Sequence, residues 1–109
     1  MKTKPILEGE IHIGGRTAII PQEVIYLKAD INYTKVLLSD GKKITVATTL
    51  KSMESRFESF PKLVRVNKST IINIDCIRQK EEGIITLQNG EKIIASRRRK
   101  KAFFELMNF

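Results

Sequence analysis

With 109 residues, 41% of them hydrophobic, the chain has the size and apolar content of one domain around a single core. Its one cysteine, Cys76, excludes an internal disulfide and a thiolate metal cluster, which points to a reducing, cytoplasmic compartment. Twenty Lys and Arg against twelve Asp and Glu leave a formal charge of +8, so a polyanionic partner is expected.

In chain order, Met1-Lys2-Thr3-Lys4-Pro5 is followed by no apolar run long enough for a secretory signal. Nowhere do about eighteen apolar residues run on to span a bilayer, so no membrane insertion is expected. Glu10-Ile11-His12-Ile13 and Thr17-Ala18-Ile19-Ile20 flank Gly14-Gly15 and predict a hairpin whose glycines supply positive φ. From Val24 to Ala95, short β-branched runs between turn residues predict a mainly β fold, with strands at 25–27, 36–38, 44–46, 64–66, 71–74, 84–87 and 93–95. Asp40-Gly41 and Asn89-Gly90 predict two more hairpins with type I′ turns, and aligning their glycines exposes an internal echo of residues 36–44 in 85–93.

Each of these two hairpins feeds a helical pattern. Thr49 can cap a helix near 49–58 that shows Leu50, Met53 and Phe57 at i, i+3, i+7 until Pro61 forbids continuation. Ser96 can cap a second, near 97–108, that buries Phe103, Leu106 and Met107. Its first turn is then Arg97-Arg98-Arg99-Lys100-Lys101. Cations at a helix N-terminus oppose the macrodipole at ~0.3–1 kcal/mol each, so an anion is expected to offset them. Free N–H groups and guanidinium groups aimed at one place suit a phosphate. A solvated patch or a targeting run is the plainer reading of five cations, but a strand before them and an apolar helix after them hold the run in a fixed geometry.

Two further polar clusters interrupt the strands. Arg65-Val66-Asn67-Lys68-Ser69-Thr70 reads, taken singly, as an ordinary turn, and Asp30-Ile31-Asn32-Tyr33-Thr34-Lys35 as a solvated one. Their Asn, Thr and Lys side chains are also of the types that bond base edges and phosphates.

Enzymatic chemistry has little to work with. His12 is the only histidine and lies in an alternating strand, Glu81-Glu82 reads as a solvated turn, and Ile13-Gly14-Gly15-Arg16 lacks the lysine and helix of a phosphate-binding loop. No enzyme activity, metal or cofactor is expected.

Asn32-Tyr33-Thr34, Asp40-Gly41, Thr49-Leu50-Lys51, Arg65-Val66-Asn67-Lys68-Ser69, Ile72-Asn73-Ile74 and Ser96-Arg97-Arg98 occur in the order seen in LytTR-type DNA-binding domains. The chain resembles that family from about Ile11 to Phe109. The resemblance implies an elongated domain of about ten short strands in successive small sheets, as found in bacterial response regulators. It also implies a transcriptional regulator that reads the major grooves of double-stranded DNA with loops, as paired domains or a homodimer on direct repeats. By correspondence of motifs, the DNA-binding residues are Asn32, Tyr33, Thr34 and Lys35, then Asn67, Lys68 and Ser69, then Ser96, Arg97, Arg98, Arg99 and Lys100. Thr34, Lys68 and Arg98 occupy the positions best placed for base or groove contacts.

The family commonly has His-Arg-Ser where this chain has Asn67-Lys68-Ser69, so a point donor stands where a forked one is usual. If the 109 residues are a standalone domain with no receiver, control is expected from concentration, an inhibitory protein partner or a small membrane protein. Composition also allows a β-rich module that docks an acidic protein. A single-stranded RNA platform is a weaker alternative, because only five Phe and two Tyr are present and most fall at predicted core positions.

Overall fold

A computed structural model describes residues 9–99, in which ten strands form three antiparallel sheets. Strands β1 (Ile11–Gly14) and β2 (Thr17–Ile19) make a hairpin. A five-stranded sheet in the order β5-β4-β3-β7-β6 holds β3 (Val24–Asp30), β4 (Tyr33–Leu38), β5 (Lys43–Val46), β6 (Leu63–Asn67) and β7 (Thr70–Asn73). A three-stranded sheet in the order β10-β9-β8 holds β8 (Ile77–Glu81), β9 (Ile84–Leu87) and β10 (Lys92–Ile94). The architecture is mainly β and elongated, 50 × 28 × 24 Å.

The five-stranded sheet lies in the middle because both of its faces are apolar. Leu27, Val36, Leu38 and Ile71 pack on one side against Ile13 and Ile19 of the first hairpin and Leu50, Met53 and Phe57 of the helix region. Tyr26, Leu37, Val66 and Ile72 pack on the other against Ile85, Leu87, Ile93 and Ala95. A strand covered on both sides needs no polar alternation, which is why Val36-Leu37-Leu38 is a continuous buried run. Each such Leu or Ile contributes about 1.5–3 kcal/mol of burial.

Helix α1 (Leu50–Arg56) starts where Thr49 Oγ1 accepts the Ser52 N–H at 3.1 Å. It ends before Pro61 forces it to, as Phe57 leaves helical geometry and buries its ring in the core. At the second expected helix, Ser96 Oγ accepts the Arg99 N–H at 3.2 Å and residues 97–99 are helical. Lys100, Lys101, Phe103, Leu106 and Met107 lie outside the described residues.

The turns differ from expectation in type. In both Asp40-Gly41 and Asn89-Gly90 only the glycine has positive φ, +90° and +92°. Gly41 N–H donates to Leu38 O while Leu38 N–H donates to Lys42 O, both at 2.9 Å, so the loop has three residues rather than two. Gly90, Leu87 and Glu91 repeat this at 2.9 Å. Asp40 Oδ1 and Asn89 Oδ1 each accept the N–H two residues on, at 2.8 and 3.0 Å. A type I turn followed by a left-handed glycine answers that set of bonds, and the type I′ expectation fails at both sites. The internal echo is thus one hairpin geometry used twice.

Strand β8 was not expected, and Glu81, read as part of a turn, closes it. Its Ile-Arg-Gln-Lys-Glu sequence has no apolar alternation because, of its residues, Ile77 is the one that packs against the core, and its place in the sheet comes from pairing with β9. The cluster at 30–35 is mostly strand as well, since β3 runs to Asp30 and β4 resumes at Tyr33.

Candidate nucleic-acid interface

The chain reverses twice at one end of the five-stranded sheet. Asp30 pairs with Tyr33 across a two-residue turn, and Asn67 pairs with Thr70 across Lys68 and Ser69. Ala29 N–H donates to Ser69 O at 2.9 Å and ties the first reversal to the second. On the other side of that second turn, Ser96 N–H donates to Val66 O at 2.8 Å and Asn67 Nδ2 donates to Ile94 O at 2.8 Å. Segments 31–35, 67–69 and 96–99 are therefore neighbours at this end of the five-stranded sheet, although members of different segments stand 27 to 68 positions apart in the chain.

Within that row the candidates divide by what their side chains already do. Asn67 Oδ1 accepts the Ser69 N–H at 2.9 Å and the Ser69 hydroxyl at 3.1 Å, so with its bond to Ile94 the Asn67 amide shapes the turn. Lys68 at the turn's apex is exposed, as are Asn32, Arg97 and Arg98. Tyr33 is half exposed, and Lys35 lies 3.3 Å from Asp30 in an exposed pair. Ser96 caps the residues that follow it.

Thr34 corrects the expectation of a base contact. Tyr33, Lys35 and Leu37 point to one face of β4 and Thr34, Val36 and Leu38 to the other, so Thr34 is fully buried and its hydroxyl donates to Thr48 O. Its role is to join β4 to the segment that leads into α1.

Two residues outside the expected set hold this end of the sheet together. The Arg65 guanidinium donates to Asn67 O at 3.3 Å, to Lys68 O at 2.5 Å and to Glu54 Oε1 at 2.6 Å. Glu54, on α1, also lies 3.8 Å from Arg99 Nη1. Arg65 thereby fixes the carbonyls of the Lys68 turn, and Glu54 links that turn to the start of the basic run. The sequence names Arg65 within its polar cluster, but nothing in residue spacing marks Glu54.

A second charged group closes the seam between the two larger sheets. Lys28 Nζ lies 2.7 Å from Glu91 Oε2 and 4.4 Å from the centre of the Tyr26 ring, and Tyr26 Oη donates to Glu91 Oε1 at 3.3 Å. The hydrogen bond from Lys28 holds the Glu91 carboxyl below its ordinary range, aided by the Lys28 charge and the Tyr26 hydroxyl, with partial burial opposing. Burial, then the Glu91 charge, pushes the Tyr26 hydroxyl up. Among the described residues no three His, Cys, Asp or Glu side chains cluster as metal ligands, and no helix is long and apolar enough to cross a membrane.

The family model of the LytTr DNA-binding domain matches residues 15–108. Among solved structures, the LytTr DNA-binding domain of a methyl-accepting/DNA response regulator from Bacillus cereus is similar in fold. Its TM-score is 0.70 at 21% identity, covering 92% of this chain and 95% of that one. No curated protein matches the chain.

Proposed function

The chain belongs to the LytTR family of DNA-binding domains of transcriptional regulators, and from that premise we propose that it reads specific sequences in double-stranded DNA with the turn end of its five-stranded sheet. The observation that carries this reading is the row of three segments stitched together through Ala29–Ser69, Asn67–Ile94 and Ser96–Val66. Turns that project beyond a sheet suit grooves, and the exposed side chains here are of the types that bond DNA.

Arg98 is the residue for a guanine edge, since a planar fork matches two acceptors at once. Lys68, held at its apex by Arg65, supplies a single-point donor to a neighbouring base or phosphate. Lys35, Arg97, Arg99 and Lys100 position the duplex through phosphates, with Asn32 and Tyr33 beside them. Asn67, Ser69 and Ser96 act by shaping the backbone. Thr34 drops out of the contact set.

A domain of this size covers little more than one turn of duplex. Paired domains on direct repeats, each entering a major groove, then supply the length of site a regulator needs in a bacterial cytoplasm. Selection of bound duplexes from a random pool tests the proposal. Two copies of one short motif about 10 base pairs apart are expected, from the repeat of the double helix. Recovery with no shared motif would leave only nonspecific coating and overturn the reading.

A further inference from the structure

Ile31 is the first residue of the two-residue turn between β3 and β4. It has φ +57° and is 92% exposed. Both facts work against the fold. A β-branched side chain in the left-handed region crowds its own backbone, whereas Gly or Asn would sit there with little or no strain. Full exposure returns none of that free energy as burial, and Ile31 belongs to neither core cluster. Strain that the fold gains nothing from is a mark of function.

The surroundings of Ile31 say what kind of partner it meets. Its turn is joined to the Lys68 turn through Ala29 and Ser69, and Asn32, Tyr33 and Lys35 follow it. With Asp30 beside it neutralised by Lys35, an apolar branched tip set among amide and phenol groups and next to the Lys68 turn suits a surface that is anionic overall and apolar at points. In duplex DNA the apolar feature open to a projecting turn is the thymine 5-methyl group in the major groove. We propose that Ile31 packs against a thymine methyl and fixes a T·A pair in the recognised site. This rests on the proposed function and adds a specificity-determining residue to it.

The test uses the full chain and a duplex recovered by selection, in which each thymine is replaced in turn by uracil. That change removes one methyl and leaves base pairing intact. At one position affinity should fall about fourfold, the worth of one buried methyl. Ile31→Gly should weaken binding to the thymine duplex by a similar factor, bind the uracil duplex no more weakly than the thymine one, and melt no lower than the parent chain. Ile31→Val should keep the preference for thymine. Equal losses by Ile31→Gly on both duplexes, or no uracil-sensitive position at all, would overturn the inference while leaving sequence-specific binding standing. Selection that recovers no motif would instead bring down the proposed function, and this inference with it.

Discussion

The Thr34 hydroxyl is satisfied from inside the fold, by a carbonyl of the segment leading into α1, with no exposed surface. Thr34→Val keeps the shape but strands the Thr48 carbonyl in a buried site. A loss of about 1–3 kcal/mol in urea melts is expected, with the ratio of specific to random DNA binding unchanged. Arg98 is its opposite, an exposed side chain in the basic run. Arg98→Ala should cost about 1–3 kcal/mol on the selected site and much less on random duplex, read by paired shift titrations. Equal losses would reassign Arg98 to the phosphates. Both residues are visible in the sequence as polar groups beside apolar runs, yet it is the β4 register that turns Thr34 inward, because a strand sends successive side chains to opposite faces. Arg65 and Glu54 show the same limit from the other side, since their pairing joins β6 to α1 and has no local signature.

Turns and their carboxylates act at the next scale. Glu91 ends the β9–β10 loop and reaches Lys28 and Tyr26 on β3, so one side chain ties the three-stranded sheet to the five-stranded sheet. Its folded carboxyl is held below the ordinary glutamate value of 4.5, so the tie stabilises the fold above that value. The contribution disappears as pH falls through the lowered folded value. Glu91→Gln should therefore melt lower at neutral pH and show a shallower fall in stability below about pH 4.5 than the parent chain. Parallel slopes in thermal melts across that acid range would show that the tie carries no stability. The loop itself is legible from Asn89-Gly90, but its three-residue form depends on how the flanking strands pair, and that choice lies outside the dipeptide.

For the whole molecule, a charge of +8 gathered partly into Arg97–Lys101 makes association with DNA strongly electrostatic. Each phosphate neutralised steepens the logarithmic salt dependence of binding by about 0.9, so roughly five contacts per domain give a slope near −4.5, and a pair of domains about twice that. Titration of one selected duplex at several salt concentrations measures it. A flat response would mean that the basic run faces water, as it would in a module built for an acidic protein surface through other contacts. The two apolar faces of the central sheet are closed by the first hairpin with α1 and by the three-stranded sheet, which leaves the turns at the sheet's end uncovered by either core.

Residue order alone determined the mainly β character, most strands, the Thr49 and Ser96 caps, the hairpin positions and the concentration of positive charge. Each of these rests on φ preference, side-chain period or composition over a few neighbouring residues. Tertiary structure decided the rest: that Thr34 faces inward, that polar β8 is a strand, that Arg65 holds the Lys68 turn, and that Ile31 stands strained at a tip. These depend on cross-strand register and on packing between residues far apart in the chain, and such free energy exists only once the sheets have met.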